Sequence, residues 1–94
     1  MNNTNSVAMP QISRFFGIII LMYYDDHNPP HFHARYSGQE CIIRIDNLTV
    51  IEGKIPQRAL QMVIEWATLR QTELSENWER AKALQSLDNI EPLD

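Results

Sequence analysis

Between Phe15 and Tyr24 the chain runs Phe-Phe-Gly-Ile-Ile-Ile-Leu-Met-Tyr-Tyr without a charged residue. β-Branched and aromatic side chains dominate this run, and it is short for a helix. The pattern therefore predicts a strand covered on both faces. It stops at Asp25-Asp26-His27-Asn28-Pro29-Pro30, where two prolines exclude both helix and a central ladder position. Beyond this loop, His31–Tyr36 and Gln39–Ile45 alternate apolar and polar residues around Ser37-Gly38. A two-residue hairpin turn there places Tyr36 opposite Gln39, Arg35 opposite Glu40, Ala34 opposite Cys41, His33 opposite Ile42, Phe32 opposite Ile43 and His31 opposite Arg44. One face collects Phe32, Ala34, Tyr36, Cys41, Ile43 and Ile45. The other collects His31, His33, Arg35, Glu40, Ile42 and Arg44. A one-residue slip would set charged side chains against apolar ones, so this register is favoured.

Asp46-Asn47 reads as a turn, Leu48–Glu52 as a short edge strand, and Pro56 suits a first helical turn. Ala59, Val63 and Trp66, flanked by Met62 and Leu69, then form an apolar stripe at helical spacing. Leu74, Trp78, Ala81 and Leu84 continue it after a polar interval. One helix from Pro56 to Leu84 would be about 44 Å long, too long for so small a sheet. Two helices are expected, with a bend between Gln71 and Ser75. Leu87, Ile90 and Leu93 punctuate a polar tail that docks either on the body or on a partner. Residues 1–8 are polar and unpatterned, the signature of a disordered extension. The expected whole is one α+β domain over residues 9–94. It has a small, mainly antiparallel sheet of three or four strands, with one or two C-terminal helices packed on one face.

Composition narrows the function classes. A 94-residue chain with one cysteine has no room for a separate cofactor domain and no internal disulfide, so a reducing cytoplasm is expected. Its longest apolar run is too short to span a bilayer, and no membrane partner is expected. Eight basic residues against twelve acidic ones, net −4, disfavour charge-driven RNA or DNA binding. The imbalance is uneven: residues 56–94 carry four basic and seven acidic groups, residues 1–55 four and five. The helical half is therefore the more acidic and suits a basic partner.

The unusual chemistry lies in the loop and the strand after it. All three histidines fall between positions 27 and 33, and the period of a strand turns His31 and His33 to the same side. Two strand imidazoles, joined by His27 or by a carboxylate from Asp25 or Asp26, supply ligands for zinc, nickel or copper. Arg44 beside His31 and Arg35 beside His33 oppose a cation there, with Glu40 offsetting one of them. The same arginines support a rival reading, in which His31, His33, Arg35 and Arg44 bind a phosphate and a histidine acts as acid or base. RNA cleavage without metal would fit, with Arg14 as a further phosphate contact and Tyr23, Tyr24 or Tyr36 stacking on a base. Tyr36, however, faces the core in this register. An ordinary half-exposed strand with an Arg35–Glu40 cross-strand pair accounts for the same residues without any ligand. Trp66 and Trp78 read as core, and Cys41 as an inert buried thiol opposite Ala34. Glu73, Glu76, Glu79, Arg80 and Lys82 read as a solvated helix face.

Several stretches also resemble a known family. They are Met9-Pro10-Gln-Ile-Ser-Arg-Phe-Phe-Gly17, Asp26-His27-Asn28-Pro29-Pro30-His31-Phe32-His33, Ile51-Glu52-Gly53-Lys54-Ile55-Pro56 with Arg58-Ala59-Leu60, Glu65-Trp66-Ala67, and Glu76-Asn77-Trp78. Together they are similar to the small bacterial proteins of Domain-of-Unknown-Function family 4160, over nearly everything from Met9 to Leu93. The resemblance implies Met9 as the typical start. It also implies membership of compact two-gene cassettes laid out like toxin–antitoxin modules. On that basis the chain is expected to be a cytoplasmic partner-binding component, its partner a small protein encoded nearby or a second copy of itself. Its acidic charge departs from the basic RNase toxins of such modules. The expected functional surface is the His27, His31 and His33 loop and strand with Arg35 and Arg44. The rivals are a zinc-type site of His27, His31, His33 and Asp26, and a metal-independent RNase or phosphate-ester enzyme.

Overall fold

The computed structural model describes residues 10–94; the expectations for residues 1–8 and for Met9 lie outside them. Five strands form one antiparallel sheet in sequence order: β1 (Gln11–Phe15), β2 (Ile18–Leu21), β3 (His31–Tyr36), β4 (Gln39–Arg44) and β5 (Val50–Gly53). The α+β class stands, but the sheet has five strands where three or four are expected. The added strand is β1, which precedes the apolar run and shares only Phe15 with it. Phe16 and Gly17 both have positive φ, 50° and 80°, the turn that joins right-twisted strands most tightly. The run therefore turns back along the segment before it, pairing Phe15 with Ile18 and Gln11 with Leu21 and leaving Phe16 exposed at the tip. Periodicity cannot show such a turn inside a uniformly apolar stretch; Gly17 is its only sequence mark.

The β3–β4 hairpin has the expected register at all six pairs, from Tyr36 with Gln39 to His31 with Arg44. Ser37 and Gly38 make its turn at φ 49° and 82°. Phe32, Ala34, Cys41 and Ile43 from this hairpin join Ile18 and Ile20 from β2, and Met22 just after it, in a core with α1 (Gln57–Leu69) and α2 (Gln71–Lys82). Trp66 anchors this core, its ring 5.3 Å from Phe15 and 6.0 Å from Phe32 between centroids.

The helices separate at Arg70 (φ −121°, ψ 18°), one residue before the expected bend. Leu69, at the break, is exposed rather than part of the apolar stripe. Leu84 also leaves the stripe, because α2 has already ended. It adopts φ 58° while Gln85 N–H donates to Arg80 C=O and Leu84 N–H to Ala81 C=O, a Schellman stop with leucine where glycine is usual.

The tail docks on the body. Ile90 is buried, its N–H donating to Ile12 C=O at 2.7 Å and its carbonyl accepting from Ser13 Oγ at 2.9 Å. This covers the outer edge of β1. Asn77, wholly buried in α2, holds the tail by donating to Asp88 C=O and accepting from Asp88 N–H, both at 2.9 Å. Among the described residues no helix is long and apolar enough to cross a membrane.

Candidate metal centre

The loop between β2 and β3 is fastened at both ends of its acidic turn. Asp25 N–H donates to the Ala81 carbonyl of α2 at 3.2 Å, and Asp26 Oδ1 accepts the backbone N–H of His27 at 2.8 Å. Pro29 and Pro30 then deliver the chain to β3, where the strand period sets the rings of His31 and His33 side by side, centroids 5.4 Å apart. A half-exposed polar face is expected here, yet His31 is only 3% and His33 only 7% exposed. Trp78 of α2 covers His31 with ring centroids 5.1 Å apart, and Tyr23 meets His33 edge-on at 4.5 Å.

Each imidazole is held by its Nδ1. That of His31 lies 2.7 Å from Pro29 C=O. A carbonyl only accepts, so this nitrogen carries the hydrogen and Nε2 is turned toward Asp26 Oδ2, 2.9 Å away. Nδ1 of His33 meets Glu40 Oε2 at 2.8 Å. Its Nε2 is buried without a hydrogen-bond partner among the described residues and faces Asp26 Oδ2 across 3.9 Å. Buried polar atoms are seldom left this way. The donor atoms of Asp26, His31 and His33 all lie within 4.8 Å of one another. Tetrahedral zinc, with bonds near 2.0–2.1 Å, spaces its donors about 3.3–3.4 Å apart. The separations of 2.9 and 3.9 Å from Asp26 Oδ2 bracket that value, so side-chain adjustment would bring the three donors onto an ion. Imidazoles oriented through Nδ1 by a carbonyl and a carboxylate are the usual outer support of metal-bound histidine.

The electrostatics suit a cation. Burial pushes the Asp26 carboxyl up, but hydrogen bonds from His27 N–H and His31, with the attraction of both imidazoles, outweigh it and hold the group below the ordinary range. Glu40 behaves alike: burial raises it, and its bonds to His33 and Arg35 with their charges bring it lower. Neither expected obstacle is a free cation. Arg35 Nε donates to Glu40 Oε1 at 3.0 Å. Arg44 grips Asp46 with two bonds, Nε to Oδ1 at 2.6 Å and Nη2 to Oδ2 at 3.0 Å.

The expected residues thus divide. Asp26, His31 and His33 converge. His27 stays outside their cluster: its side chain is 88% exposed and its Nδ1 lies 3.4 Å from Asp26 Oδ1. Arg35 and Arg44 direct their charge to neighbouring carboxylates, and Asp25 lines a shallow depression with Tyr23, Tyr24 and Asp26. Sequence reasoning missed Glu40 as the partner that orients His33. The register contained the signal, because Glu40 is the diagonal neighbour of His33 across the hairpin, within reach of a long side chain. The part of Trp78 had no local signal, since it comes from another element.

The sequence model of a family described as "Domain of unknown function (DUF4160)" matches residues 17–79, a span holding every residue of this cluster. No curated protein matches the chain. No solved structure matches it either.

Proposed function

We propose that this chain, which belongs to the family described as Domain of unknown function (DUF4160), is a small transition-metal-binding protein with zinc as its first choice. The ligands are His31 and His33 through Nε2 and Asp26 through Oδ2. The observation that carries the reading is the buried, unpartnered Nε2 of His33, aimed with the Nε2 of His31 at one carboxylate. A cation would satisfy His33 and take the place of the His31–Asp26 hydrogen bond. Two imidazoles and a carboxylate suit zinc, and the same donors serve ferrous iron in other proteins. Tag-free protein, stripped with chelator and titrated with zinc against a chromophoric competitor, is expected to take up about one equivalent. His33→Ala and Asp26→Asn are expected to abolish uptake. Stripped wild-type protein that takes up neither zinc nor ferrous iron overturns the proposal.

A second reading, partner binding within a cytoplasmic toxin–antitoxin-like module, draws support from the other end of the sheet. Strand β5 is an edge strand, exposed along its length, with Val50 39% and Ile51 46% exposed. Unlike β1, its outer edge carries no covering segment among the described residues. An extended segment of a small partner encoded nearby, or of a second copy, could add there as a strand. Co-expression with the neighbouring gene product is expected to yield a complex that Ile51→Lys disrupts; separate migration of the two proteins removes this reading. No observation favours the metal-independent RNase over these two, because Arg35 and Arg44 already serve carboxylates.

A further inference from the structure

Three donors leave a tetrahedral ion one short, and the nature of the fourth decides what the centre does. Water in that position makes an open, hydrolytic type of site, whereas a fourth side chain makes a closed one that holds the ion. We infer that His27 is the fourth ligand, swinging in from the loop when metal binds, so that the centre retains its ion instead of activating water on it. This rests on the metal-binding reading above.

His27 is next to the ligand Asp26 in sequence and in space. Its ring centroid is 6.0 Å from that of His31, and its Nδ1 is 3.4 Å from Asp26 Oδ1. Asp26 therefore stands between the two groups, Oδ2 toward the buried histidines and Oδ1 toward His27. The His27 side chain is 88% exposed, so a change of rotamer breaks no packing. Its backbone, by contrast, is fixed through the N–H donated to Asp26 Oδ1 at 2.8 Å.

Around the two buried rings the other donors are engaged or the space is filled. Glu40 bonds both His33 and Arg35, and Trp78 and Tyr23 pack against the two buried rings. The side toward solvent is the one Asp26 occupies, at 22% exposure, and His27 lies there. Its closure would complete a set of three imidazoles and one carboxylate, and would clamp the loop between β2 and β3 onto the sheet.

Cobalt(II) substitution reads this directly, because tetrahedral cobalt absorbs visible light far more strongly than five- or six-coordinate cobalt. The wild-type chain is expected to give the intense tetrahedral spectrum. His27→Ala is expected to give a weaker, shifted one, with affinity lowered on the order of 100-fold, the upper end of the about 10–100-fold of an outer-shell loss. Added imidazole is expected to restore the strong absorption of His27→Ala by occupying the vacated position. If wild type and His27→Ala bind cobalt with the same spectrum and affinity, the fourth position belongs to water; this inference then fails and the metal reading survives. If wild type binds none of cobalt, zinc and ferrous iron, both fail together.

Discussion

Replacing Glu40 by glutamine tests whether His33 is oriented for a metal or merely packed. The carboxylate meets His33 Nδ1 at 2.8 Å and Arg35 Nε at 3.0 Å. Glutamine keeps its size and an acceptor oxygen but removes the charge that makes the imidazole a better ligand. Loss of such an outer partner lowers metal affinity about 10–100-fold. With zinc at about 100 times the wild-type Kd, binding stabilises the fold by about 2.7 kcal/mol. At the same concentration the variant retains about 1.4 kcal/mol after a tenfold loss, or about 0.4 kcal/mol after a hundredfold one. For a domain of this size each kcal/mol moves Tm by about 4–8 °C. The zinc-induced rise should therefore fall from about 11–22 °C in wild type to about 2–11 °C in Glu40→Gln. Differential scanning fluorimetry with and without zinc, on chelator-stripped protein, measures both rises. A Glu40→Gln rise equal to that of wild type, with Asp26→Asn showing none, would refute the claim that Glu40 prepares His33.

Other consequences are checked by simpler measurements. Asn77→Ala removes both bonds to Asp88 and opens a void at a fully buried position. It is expected to cost about 2–4 kcal/mol in urea unfolding, and a loss below about 0.5 kcal/mol would show that the tail needs no clamp. Folding depresses the Asp26 and Glu40 carboxyls from ordinary values of 3.8 and 4.5. Their stabilising contribution is complete above those values and is lost as pH falls through the depressed ones. Asp26→Asn and Glu40→Gln should accordingly flatten the acid side of the stability curve of the metal-free protein, and an unchanged slope would contradict the assignment. Burial, with repulsion from Glu40, pushes the Cys41 thiol up to about 11. Native protein should thus react with a disulfide reagent only as fast as it opens, whereas urea-unfolded protein should react at once.

Local pattern determined a large part of this molecule. The alternation around Ser37-Gly38 specified the β3–β4 register pair by pair, because sliding it by one residue would exchange the buried and polar faces. That register already set His31 and His33 on one side and Glu40 diagonal to His33, and the crowding of three histidines marked the loop beside them. What the pattern left undecided was how these parts are covered. A uniformly apolar run has no period, so the turn at Phe16-Gly17 and the fifth strand emerged only when the run paired with the segment before it, Gln11–Phe15. Equally, an alternating strand says which side chains share a face but not what lies over that face. Trp78, 45 residues beyond His33 in the sequence, and Tyr23 from the preceding loop take two histidines expected near water and bury them. Burial is what gives the unpartnered Nε2 of His33 its meaning. In water that atom would be satisfied at no cost, but enclosed beside the Asp26 carboxylate it is a donor without a partner. Only tertiary packing, which removes the solvent, could decide between those two states.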